Sequence, residues 1–325
     1  MTGVLTLRRQ LISSRLNPAL ARMAAAILWC MFALAPVSCW AENLRILVVL
    51  SDSSSPYKPL ADMLSKSLPA SIHVAVLEKP EEVAGHTQAD LIVTVGMKAS
   101  LSAITKTGAP VLAVTIPMVG YEELLAQTSP QKHTRAISAI YLDQPWERQL
   151  DFMQAALSKH RRIGLLYSPN AHLDLAYLQK HVSDRGATLL AKPVLSAEKL
   201  FSILDEVLGS CDILLALPDN TIYNNVNIRN ILLSSYRSDT PFIGLSQSYV
   251  IAGALGAIFS SQQQVSDQIA ATILSFARSG KLPDPQYPND FTISLNHEVA
   301  KSLNLELPHE DVIRNKMLGV NRGAP

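Results

Sequence analysis

Two α/β lobes, each a parallel sheet wrapped by helices, are the architecture this 325-residue sequence predicts. Three observations predict it. Short β-branched apolar runs alternate with amphipathic stretches along most of the chain, and near-unbroken apolar strands are the mark of sheets covered on both faces. The alternation yields more strands than one sheet of average size holds, and its pattern restarts near Asp143-Gln144-Pro145. Hydrophobic residues make up 48% of the chain and charged residues 17%, enough for real cores and incompatible with a disordered chain.

The elements follow in order. Leu44–Leu50, Ile72–Leu77, Leu91–Val95 and Val111–Ile116 read as the strands of the first lobe. Ile163–Tyr167, Thr188–Leu190, Ile213–Leu217, Phe242–Leu245 and Ala257–Phe259 read as those of the second. Between them, apolar residues recur at helical spacing: Leu60, Met63, Leu64 and Leu68; Leu150, Met153 and Leu157; Leu200, Ile203, Leu204 and Val207; Val265, Ile269, Ile273 and Phe276. Ser196 is the expected N-cap of the third of these, with Glu198 in its first turn. Ala136–Asp143 is expected to be the first crossing between lobes, and Leu282–Asp290, with three prolines, an extended later one. Phe291–Leu295 then reads as a short strand and His297–Leu303 as a last helix, with no strong pattern beyond Glu310. The division expected is a leader over 1–41, a first lobe of 42–140 with 262–284, a second of 141–261 with 285–310, and a tail over 311–325.

The leader differs in kind from the rest. Residues 1–41 hold Arg8, Arg9, Arg15 and Arg22 and no acid, then an apolar run from Met23 to Pro36, then Cys39-Trp40-Ala41. A basic start, a short apolar run and a small-x-Ala ending read as a secretory signal; the run is too short for the ~20 residues that span a bilayer. Its removal leaves 24 of the 28 basic residues against 27 acids, a formal charge of −3. Of three cysteines only Cys211 would remain, so an internal disulfide is excluded. Cys39 as a lipidated first residue is the rival reading, disfavoured by the Pro36-Val37-Ser38 before it. The expected location is the periplasm.

Motifs of catalysis are missing. The chain has no G-x-S-x-G elbow, no phosphate loop, no H-E-x-x-H helix and no G-x-G-x-x-G after the first strand. The eight histidines lack metal-ligand spacing, and the near-neutral charge lacks the basic face of a nucleic-acid binder. No catalytic residue, metal, cofactor or nucleic acid is therefore expected, and Cys211 reads as a small buried hydrophobe. The carboxyl ends of the strands carry small hydroxyls, amides and single charges instead: Ser51 to Tyr57, Gly96 to Ser100, Ser168-Pro169-Asn170, Pro218 to Thr221 and Ser246 to Tyr249. Ligands of open parallel sheets bind beyond such ends, and this set suits a small polar ligand held by hydrogen bonds. Each member also has an ordinary role. The serines and Asp219 are natural N-caps, Asp219 for a helix through Ile222, Val226 and Ile231. Tyr57 and Tyr167 suit packing at lobe edges, and Gly96 a tight turn.

Several stretches resemble the ABC transporter substrate-binding proteins of type I periplasmic-binding fold. They are Pro218-Asp219-Asn220-Thr221-Ile222-Tyr223-Asn224, Ile231 to Arg237, Thr240 to Val250 with Ala252 to Leu255, Phe291 to Asn296 with Val299 to Leu303, and Arg162 to Pro169. The resemblance covers most of 44–308 and is more specific in the second lobe. It implies two Rossmann-like lobes with a ligand cleft between them, a hinge closure that buries the ligand, and delivery to an ABC permease in the inner membrane by a monomeric protein. Where such relatives carry Gly-Thr-x-Ala after the third strand, this chain has Gly96-Met97-Lys98-Ala99. Ile116-Pro117-Met118-Val119 and Ile140-Tyr141-Leu142-Asp143 depart similarly, so the ligand is expected to differ from the aromatic amino acids associated with some relatives.

Ser54, Tyr57, Gly96, Lys98 and Ser100 are the expected ligand-binding residues of the first lobe. Tyr167, Asn170, Asp219 and Gln247 are those of the second, with Tyr141 at the crossing, and Lys98 and Asp219 would pair the opposite charges of an amino-acid-like solute. A sensory or accessory binding protein that signals to a membrane partner is the alternative that sequence leaves open.

Overall fold

The computed structural model describes residues 44–53, 56–86, 88–128 and 135–319. The expected leader, with Cys30 and Cys39, and Ser54 of the expected site lie outside the described residues.

Strands β1 (Leu44–Leu50), β2 (Ile72–Leu77), β3 (Leu91–Val95), β4 (Val111–Ile116) and β5 (Ile137–Tyr141) form one parallel sheet in the order β2-β1-β3-β4-β5. Strands β6 (Arg162–Tyr167), β7 (Thr188–Pro193), β8 (Ile213–Leu215), β9 (Phe242–Gly244), β10 (Gly256–Phe259) and β11 (Thr292–Leu295) form the second, in the order β7-β6-β8-β9-β10-β11. Only β11 runs antiparallel, against β10. Without that edge strand the two sheets share one topology, the 2-1-3-4-5 order of doubly wound folds. Two α/β lobes with parallel sheets are thus what the sequence folds into.

Helices cover both faces of the first sheet. On one face, α1 (Tyr57–Ser67) buries Leu60, Ala61 and Leu64. On the other, α2 (Met97–Lys106) and α3 (Met118–Gln127) bury Ala99, Ala103, Ile104, Tyr121 and Leu124. The second sheet lies among α4 (Trp146–Ala156), α5 (Leu175–Asp184), α6 (Leu200–Leu208), α7 (Ile228–Arg237) and α8 (Gln247–Ala252), and Phe152 of α4 is wholly buried in this core. The long α9 (Gln262–Ser279) returns to the first lobe. Its Val265, Ile269, Ile273 and Phe276 pack with Ile46, Val48 and Leu60. It starts on a capping box, in which Ser261 Oγ accepts from Gln264 N and Gln264 Oε1 accepts from Ser261 N.

Three details differ from the expectation. Ile137–Tyr141, read as a crossing, is the fifth strand of the first sheet, paired with β4 and buried over four of its five residues. The crossing proper is the short Leu142–Pro145. Ser196 precedes a three-residue 3₁₀ turn, Ala197–Lys199, and α6 begins only afterwards. The tail holds a helix, α11 (Glu310–Met317), which follows α10 (His297–Ser302). A single apolar anchor, Ile313, is wholly buried, and the Arg314 guanidinium lies 4.4 Å from the Phe291 ring centroid. One anchor makes no period, so the helix left no pattern to read.

Three crossings join the sheets: Leu142–Pro145, Ser260–Ser261, and the stretch from Gly280 to Phe291. Gln144 Nε2 donates to Ser260 Oγ (2.9 Å), which donates to the carbonyl of Asp290 (2.6 Å). Tyr141 N donates to Gln286 O, and Gln286 N to Ala139 O, both at 2.9 Å, so the proline-rich stretch rides on the edge of β5.

Two outcomes follow. Phe152→Ala empties a fully packed site and should cost about 3–5 kcal/mol, read as a lower urea midpoint with unchanged cooperativity. Burial pushes the Cys211 thiol up to about 11, so the native protein should leave Cys211 unlabelled by a thiol reagent at pH 8. Peptide mapping should find the label there only after denaturation.

Candidate functional site

A cavity of about 850 Å³ lies at the carboxyl ends of the strands and takes walls from both lobes. The first lobe supplies Met97 after β3, Pro117 to Gly120 with Glu122 and Glu123 after β4, and Asp143 after β5. The second supplies Trp146, Glu147 and Gln149 from α4, Ser168 to Asp174 with Tyr177 after β6, and Leu217 to Thr221 after β8. Tyr287 enters from the third crossing.

Strand β4 delivers its wall through an irregularity. Its register with β5 shifts between Val114 and Ile116, and Thr115 between them has φ +55°. A β-branched residue in the left-handed region is strained, and the bulge re-aims the chain into Pro117 and α3. Asp143 completes that helix start from the neighbouring strand, since its Oδ1 accepts from Met118 N at 2.9 Å. Burial pushes the Asp143 carboxyl up, against the lowering effect of that hydrogen bond. Behind it, the Tyr287 hydroxyl donates to Met118 Sδ (3.0 Å), and the Tyr287 and Tyr141 rings meet edge-on at 5.1 Å between centroids.

The second lobe's wall is pinned by Asp219. Its Oδ2 accepts from Ser168 N (2.7 Å) and its Oδ1 from Thr221 N (3.0 Å). One buried carboxylate thereby ties the loops after β6 and β8, the neighbouring strands where the order reverses and where doubly wound sheets hold their ligands. The expected helix after Asp219 starts only at Ile228, so the residue fastens loops instead of capping a helix. Asp174 Oδ1 caps α5 through Tyr177 N (2.9 Å), and the Tyr177 hydroxyl donates to Glu147. Burial raises the Glu147 carboxyl, yet the Tyr177 hydrogen bond and nearby His181 and Arg185 outweigh it and leave the group below its ordinary value. His172, at φ +42°, reaches across the cavity: its Nε2 lies 3.5 Å from Glu123 Oε1 of the first lobe.

Of the residues expected from sequence, Asn170 and Asp219 line this cavity. The others described do not. Tyr57 fills the first lobe's own crevice, where a Cβ at Gly96 (φ +90°) would meet Ser51 Oγ at 2.6 Å and the Tyr57 ring at 3.1 Å. Ser100 is fully buried, with its hydroxyl bonded to Gly96 O and Thr94 Oγ1 at 2.8 Å each. Lys98 turns outward to Glu81 at 3.7 Å, away from Asp219. Tyr167 packs on the second core, Gln247 is exposed at the start of α8, and Tyr141 backs Tyr287 without lining the cavity. Trp146, Glu147, His172, Tyr177 and Tyr287 escaped the sequence reading. Trp146 and Tyr287 had a signal: aromatic residues beside proline in the segments that join two lobes.

The family model of ABC transporter substrate binding proteins matches residues 76–316. The chain belongs to this family. Its proteins bind small-molecule ligands and work with ABC permeases; the family is one of binding proteins, not of enzymes. A ligand-free, open substrate-binding protein with adhesive properties from Clostridium difficile is 14% identical and superposes with a TM-score of 0.63, over 82% of this chain and 97% of that one. An ABC domain from Streptococcus pneumonia, solved with L-Trp, is 18% identical with a TM-score of 0.57, over 83% and 98%. A conserved domain protein from Vibrio cholerae is 19% identical with a TM-score of 0.56, over 84% and 98%. At these identities the solved structures speak for the fold: the type I periplasmic-binding architecture. No curated protein matches the sequence. Among the described residues no helix is long and apolar enough to cross a membrane.

Two substitutions test the wall. Asp219→Ala strands two backbone N–H groups and should destabilise by about 1–3 kcal/mol, measured by urea unfolding. Asp143→Asn keeps an acceptor for Met118 N and removes the buried charge. The folded-state value of Asp143 is raised, so its cost is absent at low pH and appears as pH rises past the ordinary carboxylate value near 4. The variant should therefore melt higher than the parent at pH 7, and the gap should close below about pH 4.

Proposed function

We propose that this protein is the exported solute-binding component of an ABC import system. It captures a small polar solute between its lobes and hands it to a permease in the inner membrane. The observation that carries the reading is the cavity of about 850 Å³, walled by both lobes beside their three crossings, in a chain of the substrate-binding family. That volume is in the range of pockets that enclose small organic molecules. Residues 44–141 with Gln262–Ser279 and residues 146–259 with 292–317 act as the two bodies, the boundary expected after residue 140 moving past β5 into Leu142–Pro145, and rotation about the crossings closes them on the solute. Asn170 and Asp219 keep their place in the site; Trp146, Asp143, His172 and Tyr287 join them, and Tyr141 acts by supporting Tyr287. Residues 1–41 serve as the cleaved leader that brings a monomer to the periplasm.

Native mass spectrometry of protein purified from the periplasm without unfolding tests this. A discrete added mass, lost on denaturation, is expected, and Trp146→Ala should weaken its retention at least tenfold. A ligand-free mass, with no stabilisation by any member of a broad metabolite panel, would contradict the proposal.

A further inference from the structure

The cavity's charge is one-sided. Glu122, Glu123 and Asp143 face it from the first lobe, and Glu147, Asp174 and Asp219 from the second. No Lys or Arg lines it, and His172 is its one basic side chain. These carboxylates are also without strong internal counter-charge: among the described residues none forms an ion pair with Lys or Arg. The ion-pair partners of Glu123 and Glu147 are imidazoles, His172 at 3.5 Å and His181 at 3.7 Å, and Glu147 also accepts from the Tyr177 hydroxyl. Elsewhere the chain pairs its acids with fixed cations, as in Asp90 with Arg45, Asp212 with Arg162, Asp151 with Arg185 and Asp290 with Arg314. The whole sequence carries a formal charge of only +1, so the acidity is local.

From this we infer that the solute is a small organic cation, an ammonium compound of net positive charge. The inference rests on the reading of the cavity as the solute site, and it names the class that site takes. Like charges gathered around a low-dielectric cleft repel one another and focus a field that attracts cations. A bound cation relieves the repulsion as the lobes close. The aromatic lining fits the same class, because Trp146 and Tyr287 border the cavity and aromatic rings favour ammonium groups. A bare metal ion fits poorly: among the described residues no three His, Cys, Asp or Glu side chains stand close enough to hold one. A zwitterionic amino acid fits poorly too. The basic residues that flank the lining in sequence are engaged elsewhere, Lys98 with Glu81 and Arg148 with Gln144 Oε1 and Pro288 O, so a ligand carboxylate would find six acidic side chains and one imidazole.

Thermal denaturation with probes matched in size and differing in charge decides it. Putrescine, choline and L-arginine are the cations; 1,4-butanediol and L-citrulline carry no net charge, L-tryptophan is an aromatic zwitterion, and succinate is an anion. At least one cation should raise the melting temperature by several degrees at millimolar concentration, and the neutral and anionic probes should not. The shift should shrink as NaCl rises from about 20 to about 500 mM. Glu122→Gln and Glu147→Gln should each weaken binding several-fold, whereas Glu78→Gln, outside the cavity, should not. Preferential stabilisation by tryptophan, citrulline, butanediol or succinate would overturn the cationic class and leave solute binding standing. Stabilisation by no probe, together with a ligand-free native mass, would overturn both.

Discussion

The hydroxyl of Ser260 holds together the three strands of chain that join the lobes. It accepts from Gln144 in the first crossing and donates to Asp290 in the third. Arg148 reinforces the junction, bonding Gln144 Oε1 at 2.5 Å and Pro288 O at 2.8 Å. Gln264 and Gln268 of α9 bind the same proline-rich stretch at Phe291, Tyr287 and Asn289. Three covalent connections bound at one place keep the two lobes together. The cavity exists because the carboxyl ends of two sheets are kept facing each other by this junction, and its walls begin within a few residues of it, at Asp143, Trp146 and Tyr287.

The repeated strand order explains why both lobes contribute, and small differences explain why they contribute differently. In the second lobe the crevice between β6 and β8 lines the cavity, its loops tied by Asp219. In the first, the equivalent crevice is closed by Tyr57 lying on Gly96, so the wall comes from the ends of β4 and β5 instead. The strain at Thr115 and His172, two non-glycine residues at positive φ that border or lie beside the cavity, is consistent with backbone shaped for a site more than for stability.

The fold was legible because covered parallel strands write themselves as apolar runs. Leu44–Leu50, Ile72–Leu77, Leu91–Val95 and Val111–Ile116 fall where the sequence places them. Ile137–Tyr141 was hidden because Ala136–Asp143 mixes serine and aspartate with its apolar residues and abuts the crossing, and the helix at Glu310 because one buried isoleucine has no period. The cavity's lining was legible in one lobe only. The rule of ligands at strand ends led to Asn170 and Asp219, which line the cavity, and equally to Gly96 and to Tyr57, Lys98 and Ser100, whose side chains pack inward or face solvent. Whether a strand end faces the partner lobe depends on how two sheets are oriented, and no local pattern encodes that. The residues missed, Trp146, Tyr177, His172 and Tyr287, come together only through the junction.

Occupation of the space between the lobes by a small molecule is tested most directly by a crystal structure of protein purified from its own compartment without unfolding. Density is expected for one organic molecule bounded by Trp146, Tyr287 and the acidic side chains of both lobes, with the lobes drawn together around it. A cavity filled by the protein's own side chains, or a molecule bound away from these residues, would contradict it.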